Sequence, residues 1–184
     1  YIIQQRRLFQ DSLKIIAQEI HSRITNGTEK LTLEYKSSIP SQTSKLEEIQ
    51  QQFLQVLEGR HKEDIERGIT GKGCHRDDIV FQINGADVRI FGSQGQKRTT
   101  VLSLKFSELE YMRQETGEYP LLLLDDAMSE LDHGRQQMLL EYIGKVQTFI
   151  TLTDLDQIPD LKHKNMQIFK IQSGAALPME SLSF

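Results

Sequence analysis

Apolar residues recur at mostly three- and four-residue spacing near the start of the chain, at Phe9, Leu13, Ile16, Ala17, Ile20 and Ile24. That period predicts a helix over residues 2–25 with one buried stripe. Asn26-Gly27 closes it in the manner of a C-cap. Leu31, Leu33 and Tyr35 then alternate with polar residues, which predicts a strand. Residues 37–44, rich in Ser and holding Pro40, read as a loop. A second helix starts near Lys45, with Leu46, Ile49, Phe53, Val56 and Leu57 as its buried face. Gly68, Gly71 and Gly73 break the pattern. They divide a mainly helical segment with one strand, residues 1–72, from a second segment, residues 73–184.

The second segment alternates strand and helix. Ile79–Ile83 and Asp87–Phe91 flank Asn84-Gly85, a pair suited to the two positive φ angles of a tight hairpin turn. A helix follows from about Gln94 to Glu115, closed by Gly117. Four leucines, Leu121 to Leu124, run into Asp125-Asp126. A continuous apolar run predicts a strand buried on both faces, the habit of a parallel sheet. A helix from about His133 to Lys145 and strands at Gln147–Leu152 and Met166–Ile171 complete the pattern. The fold class expected is α/β.

Composition narrows the class. The 184 residues suit one domain or one and a fraction, and the start at Tyr1 suggests a piece of a longer protein. No apolar run approaches the ~20 residues of a membrane span, and no basic-then-apolar leader appears. Cys74 is the single cysteine, which fits a reducing, cytoplasmic location. The net charge of −4 and pI of about 5.8 are not the footprint of a basic nucleic-acid binder. Charge is uneven: residues 1–76 hold 12 Lys/Arg and 10 Asp/Glu, residues 77–184 hold 10 and 16.

Two constellations carry chemistry. Asp125 and Asp126 at the carboxyl end of a buried strand sit where open α/β sheets place ligands. They look like a magnesium ligand beside a water-orienting carboxylate. Gly92-Ser93-Gln94-Gly95-Gln96-Lys97-Arg98 lies between a strand and a helix. Ser93 is a natural N-cap there, Gly95 allows close backbone approach, and a helix N-terminus favours anions. A phosphate loop, GxxxxGK[ST], is absent. The Gly-Lys pairs, Gly71-Lys72 and Gly144-Lys145, lack its spacing. His75-Arg76-Asp77-Asp78 could pair charges structurally or touch nucleotide or partner. His133 reads as a helix-start residue. His21, His61 and His163 are expected in polar surroundings, and no His/Cys cluster has metal-site spacing.

The loop Ala127-Met128-Ser129-Glu130-Leu131-Asp132 sharpens this. Signature helix, acidic strand and Ser-x-Leu-Asp, in that order, resemble the C-terminal half of an ATP-binding-cassette (P-loop NTPase) ATPase head. With Gly73-Cys74-His75-Arg76-Asp77-Asp78 and the hairpin in front, residues 73–154 resemble the RecF family of bacterial recombination mediators. That family belongs with the SMC and Rad50 type of DNA-repair ATPases; its members usually carry Pro where this chain has Cys74. The resemblance implies ATP and Mg²⁺ as cofactors. It implies Asp125 as metal ligand and Asp126 as the residue orienting the attacking water. It places Ser93 and Gly95, with Gln94 and Gln96 beside them, at the γ-phosphate of an ATP held by the opposite subunit. Ser129 and Asp132 would form the loop crossing the dimer interface, and Thr151 or Thr153 would sense the γ-phosphate. The implied partners are a second copy on ATP, double-stranded DNA and single-strand/double-strand junctions, and RecO and RecR, with recombinase loading at gaps and no membrane. The phosphate loop would lie upstream of Tyr1, so the chain alone is expected neither to bind ATP tightly nor to hydrolyse it. Two other readings compete: half of a transporter cassette, and a non-catalytic interaction module with an ATPase-like fold. Against the first, the signature lacks Leu-Ser-Gly-Gly-Gln and Asp126 replaces the usual Glu.

Overall fold

A computed structural model describes residues 1–39, 43, 45–126, 128, 131–155 and 166–179. The chain forms two compact units, Tyr1–Pro120 and Leu121–Phe184.

The first unit is built around a small antiparallel sheet. β1 (Leu31–Lys36) pairs with β2 (Asp78–Ile83) in the register Leu31↔Ile83, Leu33↔Phe81 and Tyr35↔Ile79. β3 (Ala86–Asp87) follows the Asn84-Gly85 turn, where both residues have positive φ, 51° and 83°. Asn84 adds a further tie, since its side-chain oxygen accepts from the Lys30 N–H at 2.9 Å. α1 (Ile2–Ile24) crosses this sheet and packs on α4 (Gln94–Thr116). Leu13, Ala17, Leu31, Leu33, Ile83 and Val88 form the core between them. α2 (Leu46–Arg67) ends at Gly68 in the left-handed conformation. It contributes Ile49 to a second cluster with Ile3 and Ile39. β1 and β2 lie on opposite sides of the expected 72/73 division and share one sheet, so the compact units part at Pro120 instead.

Two details of this unit depart from the sequence pattern. The second arm of the hairpin is two residues long, and Val88–Phe91 forms a single helical turn, α3. The cause is local: Asp87 accepts from the Arg89 N–H at 2.8 Å and caps the turn, and Arg89 reaches back to both oxygens of Asp78. Arg89 holds the Asp78 carboxyl below its usual range, first by hydrogen bonding. The short 3-10 turn Cys74–Arg76 leads into Asp77, whose side chain is fully buried. Asp77 accepts from the Tyr35 hydroxyl and from the Ser38 N–H at 2.6 Å, with Arg6 3.9 Å away. His75 and Arg76 both turn toward the Thr70 carbonyl. The His-Arg-Asp-Asp run therefore ties β1, β2 and their flanking turns together.

Among the described residues, the second unit holds two separate strand pairs. β4 (Leu122–Asp125) and β5 (Thr148–Thr151) pair in parallel, Leu122↔Thr148 through Asp125↔Thr151. α5 (His133–Ile143) lies between them in sequence, as a parallel pair requires. Met128, Leu139 and Val146 are buried. β4 is not buried on both faces: Leu121, Leu123 and Phe149 are 58%, 72% and 60% exposed. A run of leucines reports apolarity but not what covers it. β6 (Ile168–Gln172) pairs antiparallel with β7 (Ala175–Met179) through a Ser173-Gly174 turn. The sequence pattern ends at β6, because Pro178 and two alanines hide the strand character of β7.

The Tyr35–Asp77 bond has a measurable consequence. Burial first, then the hydrogen bond to Asp77, push the Tyr35 phenol from 10.0 up to about 12. The neutral phenol is the form the folded state favours. Its stabilising contribution should be complete below pH 10 and disappear as pH rises toward 12. Phenolate absorbance, as the difference between wild type and Tyr35→Phe, should show this one tyrosine titrating near 12; an ordinary midpoint near 10 would contradict the geometry.

Candidate nucleotide site

The acidic part of the site grows from the parallel pair. Asp125 is the last residue of β4, and Thr151 is the last of β5 directly opposite it. The Thr151 hydroxyl donates to Asp125 Oδ1 and accepts from the Asp126 N–H at 3.1 Å. One side chain thus fixes the carboxylate and the turn that follows it. Asp126 has a φ of 46°, so the chain bends sharply where the strand stops. Both aspartates are exposed. Thr153 lies two residues past the end of β5. Of the two threonines, Thr151 is the one joined to the acidic pair by these bonds.

Asp132 starts α5. Its side chain accepts from the Arg135 N–H at 3.0 Å and pairs with the Arg135 guanidinium. Its carbonyl accepts from the Gln136 N–H at 2.9 Å. The Gln136 amide holds the Met128 carbonyl at 3.1 Å, so the start of the helix and the preceding loop are tied together. Ser129 lies outside the described residues. Among the described residues no group of three or more His, Cys, Asp or Glu gathers as a metal cluster. A single strand-end carboxylate suits Mg²⁺, which keeps several waters and takes its other ligands from phosphate.

Ser93, Gln94, Gly95 and Gln96 belong to the first unit, at the start of α4. Ser93 and Gln96 form a reciprocal capping box. The Gln96 N–H donates to Ser93 Oγ at 3.1 Å, and the Ser93 N–H donates to Gln96 Oε1 at 3.0 Å. Ser93 Oγ accepts in this bond and keeps its own hydrogen to donate. The amide dipoles of a 23-residue helix favour an anion at this end. Behind the box lies a cluster the sequence pattern does not show. Gln96 Nε2 donates to Glu29 Oε1 at 3.1 Å, and the other Glu29 oxygen faces His21 Nε2 at 3.2 Å. His21 Nδ1 lies 3.0 Å from Ser103 Oγ. His21 is fully buried on the core stripe, where polar surroundings were expected. The readable signal was its place four residues after Ala17 and eight after Leu13, on the buried stripe.

No family model matches the chain. Among curated proteins, it is 48% identical over 176 residues to the DNA replication and repair protein RecF of Enterococcus faecalis, covering 94% of this chain and 47% of that protein. The chain is a homologue of RecF over nearly its whole length. RecF of Halothermothrix orenii is 45% identical over 184 residues, covering 98% and 49%; RecF of Bacillus subtilis is 44% identical over 176 residues, covering 95% and 48%. The chain spans about half the length of the RecF proteins it matches. A solved structure of the recombination mediator protein RecF-ATPrS in the RecFOR pathway superposes with a TM-score of 0.85 at 37% identity, covering 97% of this chain and 47% of that one. RecF-ATP in the same pathway gives 0.83. A structure from work on ATP-driven dimerisation of SMC ATPases matches at 0.52 and 12% identity, which shows the fold alone. The fold is thus the α/β portion of a RecF and SMC type of ATPase head. No helix among the described residues is long and apolar enough to cross a membrane.

Ser93→Ala removes the cap acceptor and should cost about 1 kcal/mol of stability. Ser93→Asp keeps an acceptor and should cost well under half of that. Urea unfolding followed by circular dichroism checks the order; equal losses would show that the cap contributes little.

Proposed function

We propose that this chain supplies the acidic strand and the signature helix of a RecF-type DNA-repair ATPase. The observation that supports it best is the Thr151 hydroxyl bonded to both Asp125 and the Asp126 backbone at the ends of two parallel strands. In this reading Asp125 would hold Mg²⁺ with the carboxylate that Thr151 fixes. Mg²⁺ supplies charge neutralisation at the phosphates. Asp126 orients the attacking water, and Thr151 reports the γ-phosphate to the strand end. Ser93, Gln94, Gly95 and Gln96 meet the γ-phosphate of an ATP held mainly by a second copy, with the Ser93 hydroxyl as donor. Ser129 and Asp132 form the loop at the crossing.

The complete protein would then dimerise on ATP, engage DNA at single-strand/double-strand junctions mainly through phosphates, and work with RecO and RecR to load recombinase at gaps. The chain by itself has no GxxxxGK[ST] loop. It lacks the backbone N–H cradle and lysine that hold the β- and γ-phosphates.

In the full-length protein, Asp126→Asn should leave ATP binding within about threefold and lower turnover at least ~100-fold, as loss of a general base does. Ser93→Arg should leave ATP binding by the monomer intact and abolish ATP-driven dimerisation. Turnover and light scattering read the two effects separately. Wild-type turnover in Asp126→Asn, or an ATP dimer of Ser93→Arg, would refute the assignment.

A further inference from the structure

The buried side of α4 carries four small hydroxyl side chains beside Phe106 and Leu109. Thr99, Thr100, Ser103 and Ser107 are all buried. Each donates to the carbonyl four residues earlier: Thr99 to Gly95 at 2.8 Å, Thr100 to Gln96 at 2.8 Å, Ser103 to Thr99 at 2.7 Å and Ser107 to Ser103 at 2.5 Å. A ladder of hydroxyls therefore runs along the buried side of the helix to its first turn. His21 of α1 meets this ladder at Ser103. From His21 a second route runs through Glu29 and the Gln96 side chain to the Ser93 N–H. The two routes close a ring behind Ser93, Gln94, Gly95 and Gln96.

A helix start does not need this ring. The capping box is complete with Ser93 and Gln96 alone. A pair between a buried His and a half-buried Glu is also often no better for stability than apolar packing of the same volume. What Glu29 adds is restriction. Gln96 uses its oxygen on the Ser93 backbone and its nitrogen on Glu29, so the amide has one orientation. His21 fixes Glu29 in turn, and the surrounding core fixes His21.

We propose that Glu29 and His21 are positioning residues for the segment Ser93–Gln96. They set the place of the Ser93 hydroxyl and of the first turn of α4 without touching nucleotide themselves. This rests on the reading that the segment meets an ATP held by a second copy. A displacement of about 1 Å at such a contact is costly, and a helix start held only by its own cap would sample displacements of that kind. The ring makes the segment a rigid donor surface before the second copy arrives.

The test uses the full-length protein. Glu29→Leu should leave ATP binding by the monomer unchanged and weaken ATP-driven dimerisation at least about tenfold, the scale of one lost charge-assisted hydrogen bond. Glu29→Gln still accepts from Gln96 and should stay within about threefold of wild type. Glu29→Ser, too short to reach Gln96, repeats the Glu29→Leu test if leucine there disturbs folding. Amide hydrogen exchange at residues 93–96 in nucleotide-free protein should speed up in the Leu and Ser variants and not in Gln. Wild-type dimerisation and wild-type exchange in folded Glu29→Leu or Glu29→Ser would overturn the proposal, as would an equal loss of ATP binding by the monomer. If the wild-type protein fails to dimerise on ATP, the functional reading falls, and the exchange at 93–96 still decides whether Glu29 positions the segment.

Discussion

The contact between α1 and α4 carries both the core of the first unit and the start of the signature helix. Across it the Phe9 and Tyr111 rings meet edge to face, and the buried His21 meets Ser103. Burying an imidazole is tolerable only when its nitrogens find partners. Ser103 and Glu29 are those partners, and Glu29 leads directly to the capping box. The packing of two helices and the placement of a candidate phosphate contact are therefore one problem with one solution. A change that loosens the first should be felt at the second.

The second unit depends on a similar economy of parts. Thr151 serves two residues of the neighbouring strand with one hydroxyl, donating to a carboxylate and accepting from a backbone N–H. Parallel pairing puts the two strand ends level, so the residue opposite Asp125 is decided by register rather than by sequence distance. The exposed Leu123 and Phe149 lie on the same strand pair, and the exposed Leu121 just before it. The pair that presents the aspartates thus keeps apolar surface in contact with solvent, which is costly unless other structure covers it.

Periodicity made most of the frame legible. The α1 stripe, the alternation of β1, the Asn84-Gly85 turn and the Gly68 and Gly117 helix ends are local features, and local rules govern them. The misses share a cause. Val88–Phe91 looks like a strand by composition, yet Asp87 and Arg89 make it a helical turn through bonds no period encodes. β7 contains Pro178 and reads as a tail until β6 is there to pair with it. The division near residue 72 was drawn at glycines, while pairing of β1 with β2 holds both sides in one unit. For the site, residue type and order pointed to Asp125, Asp126, Ser93 and Asp132. That Thr151 stands opposite Asp125 follows from the strand register, and the links of Glu29 and His21 follow from tertiary contact, since 67 and 82 residues separate them from Gln96 and Ser103.

With an acidic strand end and a capped helix start but no GxxxxGK[ST] loop, this chain should not grip the phosphates of ATP by itself. Calorimetric titration of the 184-residue chain with MgATP tests it most directly. No measurable heat of binding is expected at concentrations where the full-length protein saturates. Tight, stoichiometric binding by the chain alone would contradict it.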